Sequence, residues 1–247
     1  MKFKHTLSFF GLMTGSTLAL SMMPAQAFNF TSGTALGTCD PISEYTMKSC
    51  TTDDGFTLNV TKNGTVGSLG GFLAEKTVNG VTGVGVYGDD HPNGSIEEID
   101  YGEELALAID QPSILNSLDL GFLYRPPVFQ DQLNEIAEVS AGGITGTLTV
   151  LTSTTAEWKW NGITQMLTAL SNSDENGGGW YRIFNPFGTT AVTEVRLAGA
   201  LPEGDYVKRD FSLVGAEKVP EPATLAGLGL VGGALVASRR RKNRKAC

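Results

Sequence analysis

Seven carboxylates fall between residues 89 and 104: Asp89, Asp90, Glu97, Glu98, Asp100, Glu103 and Glu104. Calcium takes oxygen ligands from a short loop, with a glycine where the loop turns tightly. Asp89, His91, Asn93, Gly94, Ser95 and Asp100 stand at positions 1, 3, 5, 6, 7 and 12 of such a loop. The fit is incomplete. Imidazole is a poor calcium ligand, Asp100 is shorter than the Glu that usually closes the loop, and no helical pattern flanks it. Two expectations follow: a surface calcium site using Asp89, Asn93 and Asp100, or a solvated acidic loop running into a strand. The second requires less of the residues.

Other chemistry finds less support. Paired carboxylates can straddle a glycosidic bond, but acids are so numerous here that pairs arise by chance. The chain has two histidines, His5 and His91. His5 sits in an N-terminal leader, so a Ser-His-Asp or Cys-His device would depend on His91 alone. There is no Gly-x-Ser-x-Gly elbow and no glycine-rich phosphate loop with its lysine. One histidine and two pairable cysteines make zinc a poor expectation. The expectation is a protein without catalysis or a bound cofactor, calcium excepted.

Aromatic residues give a different lead. Trp158, Trp160, Trp180 and Tyr181 cluster with Phe184 and Phe187. Indole and phenol faces stack on sugar rings, so these four are candidate glycan contacts in a lectin-like module. Trp158 and Trp160 share one face of a strand by the two-residue period. A sheet core would claim that face equally well, and core packing is the preferred reading.

The elements that must carry these residues are short. Runs rich in Val, Ile, Thr, Phe and Trp recur between Gly, Asn, Asp and Pro. Strands are expected over 56–60, 81–87, 105–109, 117–123, 144–151, 156–160, 180–184, 191–197 and 211–214. Asn63-Gly64, Asn79-Gly80, Asn93-Gly94 and Asn161-Gly162 are turn dipeptides. Phe129, Leu133, Ile136 and Ala137 would also fit a helical face. The alternative is a strand over 136–140 paired with 144–151 across Ala141-Gly142-Gly143, and it is preferred. The fold class expected is all-β, an antiparallel sandwich of jelly-roll type.

Both ends carry address signals. Lys2 and Lys4 precede an apolar run from Leu7 to Met23, and Ala25-Gln26-Ala27 has the small-x-small form of a signal-peptide cleavage site. Residues 1–27 are therefore expected to leave, with the mature chain starting at Phe28. Residues 28–218 form one expected domain. That body holds 25 acidic and 10 basic side chains, a net of about −15, against −8 for the 247-residue chain. Such a surface repels phosphate backbones, which argues against a nucleic-acid partner. Cys39 and Cys50 would be exported, and a disulfide is the natural state there.

From Val219 the composition changes. Val219-Pro220-Glu221-Pro222 stops the last strand and holds the chain extended. Ala223 to Ser238 carries no charge. As a helix it would span about 24 Å, slightly short of the roughly 30 Å hydrocarbon core. Arg239, Arg240, Arg241, Lys242, Arg244 and Lys245 follow. A basic cluster stays on the cytoplasmic side, which would place the body outside an inner membrane. This order of Pro-Glu-Pro, short glycine-containing span and basic cluster resembles the PEP-CTERM sorting signal. The resemblance covers residues 219–247. It implies recognition of Val219–Pro222 and removal of the tail by exosortase, an integral-membrane protease. The implied route is export, transient inner-membrane anchorage with a periplasmic body, then release to the cell surface or extracellular matrix. Extracellular polysaccharide is the implied neighbour there.

The body is also similar to PEP-CTERM surface proteins in short phrases. They are Gly83-Val84-Gly85-Val86, Glu98-Ile99-Asp100 with Glu104-Leu105, Trp158-Lys159-Trp160-Asn161-Gly162, Asn185-Pro186-Phe187-Gly188 and Asp210-Phe211-Ser212-Leu213. The likeness implies a β-sandwich and no particular chemistry, since a fold does not fix a function.

Overall fold

Asn79-Gly80 and Asn161-Gly162 both take positive φ, 52° and 80° in the first pair and 43° and 81° in the second. Two consecutive left-handed residues match the twist of the strands they join, so each pair closes a two-residue hairpin. The computed structural model describes residues 26–42, 46–62, 71–87, 97–126, 134–171, 178–199 and 210–219. The turns Asn63-Gly64 and Asn93-Gly94 lie outside these residues, as do Phe129 and Leu133.

Fourteen strands are described: β1 (Gln26–Asn29), β2 (Ser49–Thr51), β3 (Phe56–Lys62), β4 (Phe72–Val78), β5 (Val81–Tyr87), β6 (Glu104–Ser113), β7 (Leu115–Leu123), β8 (Ile136–Ala141), β9 (Ile144–Thr152), β10 (Thr155–Trp160), β11 (Ile163–Thr168), β12 (Gly179–Phe184), β13 (Val192–Gly199) and β14 (Ser212–Lys218). They form two sheets. One has the order β12-β7-β14-β5-β4, with β1 also paired to β14. The other has the order β11-β10-β9-β8-β13-β6-β3-β2. The pairings between these strands are antiparallel, and apart from a 3-10 turn at Gly37–Cys39 the described residues are all-β.

Period-2 alternation supplies one core from both sheets. Leu73, Val84, Val86, Leu118, Leu120, Tyr181 and Leu213 come from the first, and Leu58, Leu105, Leu107, Val139, Leu148, Trp158 and Leu197 from the second. Cys39 and Cys50 are buried beside it and joined, with S–S 2.10 Å and Cα–Cα 5.1 Å. Residues 136–141 are a strand, turned into β9 by Gly142 and Gly143 with φ 57° and 79°. The helical alternative therefore does not hold at Ile136 and Ala137.

Four strands were not legible as such. β4 carries Ala74, Glu75 and Lys76, all weak strand formers. It is a strand because the Asn79-Gly80 turn folds it onto β5 over seven residue pairs. β11 likewise follows its turn onto β10, despite Gln165 and Met166. β1 and β2 are too short to show a period. β14 runs four residues past Val214, through Gly215-Ala216, because β7 and β1 pair with it on either side.

In the aromatic cluster Trp158 and Trp160 follow the preferred core reading, and the glycan alternative does not hold for them. Trp158 and Trp160 are buried, and their indole N–H groups donate to the carbonyls of Pro186 (3.1 Å) and Ile144 (3.2 Å). Both rings meet Phe187 edge-on. Tyr181 is also buried in the core. Trp180 is half-buried on the opposite face, packed with Val81, Phe122, Tyr124 and Val214. Trp158, Trp160 and Tyr181 therefore have no ring face open to a sugar, whereas Trp180 is partly exposed.

Candidate functional site

Two places gather the residues singled out by sequence: the acidic segment after residue 97, and the end of β14.

Over its described residues, 97–104, the acidic segment is largely buried rather than a solvated loop. Residues 98–101 run between the two sheets as a strap. Val86 N–H of β5 donates to the Glu98 carbonyl (3.1 Å), and Ile99 N–H donates to the Phe211 carbonyl (2.7 Å) just before β14. Tyr101 bridges to Gly199 at the end of β13. Ile99 points into the core and is fully buried. Alternation then turns Glu98 and Asp100 the other way, where both are nevertheless buried. Glycines on each sheet let the strap approach. A Cβ on Gly85 would collide with the Glu98 backbone, and one on Gly199 would sit 2.6 Å from the Asp100 carbonyl carbon. Gly85→Ala is therefore expected to lower stability by roughly 1–3 kcal/mol, seen as a lower urea midpoint. An unchanged midpoint would show that the strap does not hold the sheets at that position.

Burying carboxyls this way changes their protonation. Glu98 is pushed well above the ordinary carboxyl range by burial, reinforced by the neighbouring Asp210 carboxyl; Lys76 opposes this from 3.0 Å. Glu103 is raised from 4.5 to about 8. Burial is the main cause, with the Asp100 and Asp210 charges adding to it and a hydrogen bond from Asp100 N–H (2.9 Å) opposing. Asp100 Oδ1 in turn accepts the Tyr101 N–H at 2.6 Å. Glu104 accepts from Thr61 and from Arg196, each at 2.7 Å. Glu103 and Asp100 thus bond the strap backbone, while Glu104 ties β6 to β3 and β13. Among the described residues no three His, Cys, Asp or Glu side chains are arranged to hold a metal ion. Of the calcium candidates, Asp89 and Asn93 lie outside the described residues, and Asp100 is in the strap.

The end of β14 is where the last-strand signal meets the tail. Lys218 is buried; its Nζ lies 2.9 Å from Asp110 Oδ1 and 4.9 Å from the centre of the Phe56 ring. Val219 N–H donates to the Ile114 carbonyl at 2.8 Å, while the Val219 side chain is exposed. The sheet thus holds the chain up to the residue before Pro220, with no linker between strand and Pro-Glu-Pro. Beside it runs β1, with Gln26 paired to Lys218 and Ala27 to Glu217. Ala25, Pro220, Glu221, Pro222 and the cluster Arg239, Arg240, Arg241, Lys242, Arg244 and Lys245 lie outside the described residues. Among the described residues, no helix is long and apolar enough to cross a membrane.

The strap went unread because burial of an acid-rich run has no local signal. The glycine pair Gly83 and Gly85, spaced to leave one side of β5 bare, was the available hint.

Neither the curated proteins nor the solved structures give a match to this chain. One family model does match, over residues 218–242, beginning at the last residue of β14. The chain therefore carries a PEP-CTERM protein-sorting motif, the mark of an exported protein addressed to exosortase.

Proposed function

We propose that this is a non-enzymatic surface or matrix protein, delivered by its sorting tail and left outside the cell as a β-sandwich of jelly-roll type. The observation that carries this reading is the attachment of the motif directly to a central strand. Cleavage near Pro220 would leave all the described strands, β1 to β14, on the released body. The chain crosses repeatedly between the two sheets, as at β3–β4, β5–β6, β6–β7 and β11 to β14, while β8 to β11 form a consecutive meander within one sheet. Ala223–Ser238 would serve as the temporary membrane helix and the basic cluster would hold its cytoplasmic end. A signal peptide ending at Ala27 would start export. The buried carboxyls favour a structural over a catalytic role.

The test is mass spectrometry of the protein from its own host. A mature C-terminus near Pro220, without any peptide from 225–245, is expected. Glu221→Ala should leave the tail attached. A full-length tail in a host that has exosortase would refute the reading.

The polymer is the finer part of the proposal. The outer side of β9, β10 and β11 presents hydroxyls in rows across the strands, Thr152–Thr155–Thr168 and Thr147–Lys159–Thr164. Lys159 there is paired with Glu157. A nearly neutral, hydroxylated face on an acidic body suits contact with an extracellular polysaccharide. Pull-down on host matrix polysaccharide, with and without calcium, tests this. Absence of binding in both arms would remove the polymer from the proposal and leave the sorting intact.

A further inference from the structure

We propose that removal of the N-terminal leader must precede closure of the fold, because the bond to be cut lies inside a strand that the last strand locks in place. The inference rests on the reading of Ala25-Gln26-Ala27 as the cleavage site. The Ala27–Phe28 bond is in the middle of β1, where Ala27 pairs with Glu217 and Phe28 with Ala216 of β14. Phe28 is buried, its ring 5.0 Å from that of Phe56 and 5.7 Å from that of Phe30. Strand-binding clefts take an extended peptide through its free backbone groups and side chains. In the closed fold one backbone edge of residues 26–29 is already occupied by β14, and the side chain that follows the cut is in the core. A protease could reach the bond only after β1 leaves the sheet.

Chain order then sets the timing. Phe28 emerges early and β14 is the last described strand, 190 residues separating Phe28 from Lys218. At ordinary elongation rates that is a window of roughly 10–40 s. Within it β1 has no partner and is open to cleavage. Once β14 arrives, the leader of any uncut chain is retained, and such a chain remains attached at both ends. β1 and β14 therefore act as a closing clasp that separates leader removal from presentation of the sorting motif.

Gly215 offers a specific way to open the clasp. A Cβ there would lie 2.6 Å from the Phe28 carbonyl oxygen and 3.2 Å from Asn29 Cα. Gly215→Val should thus exclude β1 while leaving the β14–β7 edge to pair. The full-length precursor is accumulated in cells under a reversible signal-peptidase inhibitor, the inhibitor is washed out, and cleavage is followed by pulse-chase. Wild-type precursor that has waited is expected to be cut at least tenfold more slowly than newly made chain. Gly215→Val precursor should be cut at the rate of new chain. Equal rates for waiting and new wild-type chains would overturn the proposal, as would an equally slow Gly215→Val. The mature N-terminus of untreated wild type is read in the same experiment. A start at Phe28 upholds the cleavage-site reading on its own, whereas a start at or before Gln26 refutes that reading and leaves β1 whole, overturning the clasp with it.

Discussion

Glu103→Gln is expected to stabilise the protein at neutral and alkaline pH and to flatten its loss of stability as pH rises. The folded state holds the Glu103 proton up to about pH 8, against 4.5 for the ordinary carboxyl. A group whose pKa is raised by folding contributes most below its unfolded value, and that contribution is lost as pH climbs to the folded value. Wild-type stability should therefore fall between pH 4.5 and 8. The loss is about 3 kcal/mol at pH 7, taking 1.36 kcal/mol per pH unit. Glutamine carries no charge at any of these pH values and keeps an oxygen to accept the Asp100 N–H. A gain of roughly 5–10 °C in Tm at pH 7–8 follows for a domain of this size, with little change at pH 4. Glu98 is shifted in the same direction by the same kind of burial, so a residual slope should survive in the variant. Thermal unfolding from pH 4 to 9 decides the matter. Wild-type stability that stays level or rises from pH 5 to 8 would mean that the strap carboxyls are not buried as acids.

Trp158→Ala should cost about 3–5 kcal/mol, the range for deleting a large buried aromatic. The indole is fully buried, touches Phe187 and caps the Pro186 carbonyl. Trp158→Phe separates the two contributions. It restores much of the volume but leaves that carbonyl without its donor, which costs about 1–2 kcal/mol. Urea unfolding with constant m reads both values. If Trp158→Ala left stability unchanged, the ring would have to be at the surface after all, and the core reading of Trp158 would fail in favour of the glycan alternative.

The two substitutions act on opposite kinds of burial. Trp158 was legible because its period-2 partner Trp160 marks an inward face, and strands such as β5 and β10 were legible for the same reason. β4 and β11 were not, because their residues have little strand preference and take their form from the hairpin turns before and after them. The acidic strap was misread as solvated. Sequence counts charges but does not show when two glycine-bearing strands close over them, and a carboxyl can be buried only where it keeps its proton or finds a partner.

What the sequence determined by itself is the address. The Pro-Glu-Pro, the uncharged run and the basic cluster are read from order and composition along the chain, and the sorting motif matched over residues 218–242 rests on that local pattern. The all-β class was local too, since alternation and turn dipeptides are properties of neighbouring residues. Only the tertiary structure decided which groups meet Trp158 and Trp160, that Glu98 and Asp100 are buried in a strap with Glu103 bonded to it, and that β1 lies against β14. Each of these depends on residues brought together across long stretches of chain: β1 and β14 stand nearly 190 residues apart. Their meeting is set by the closure of two sheets on one core, which no local pattern records.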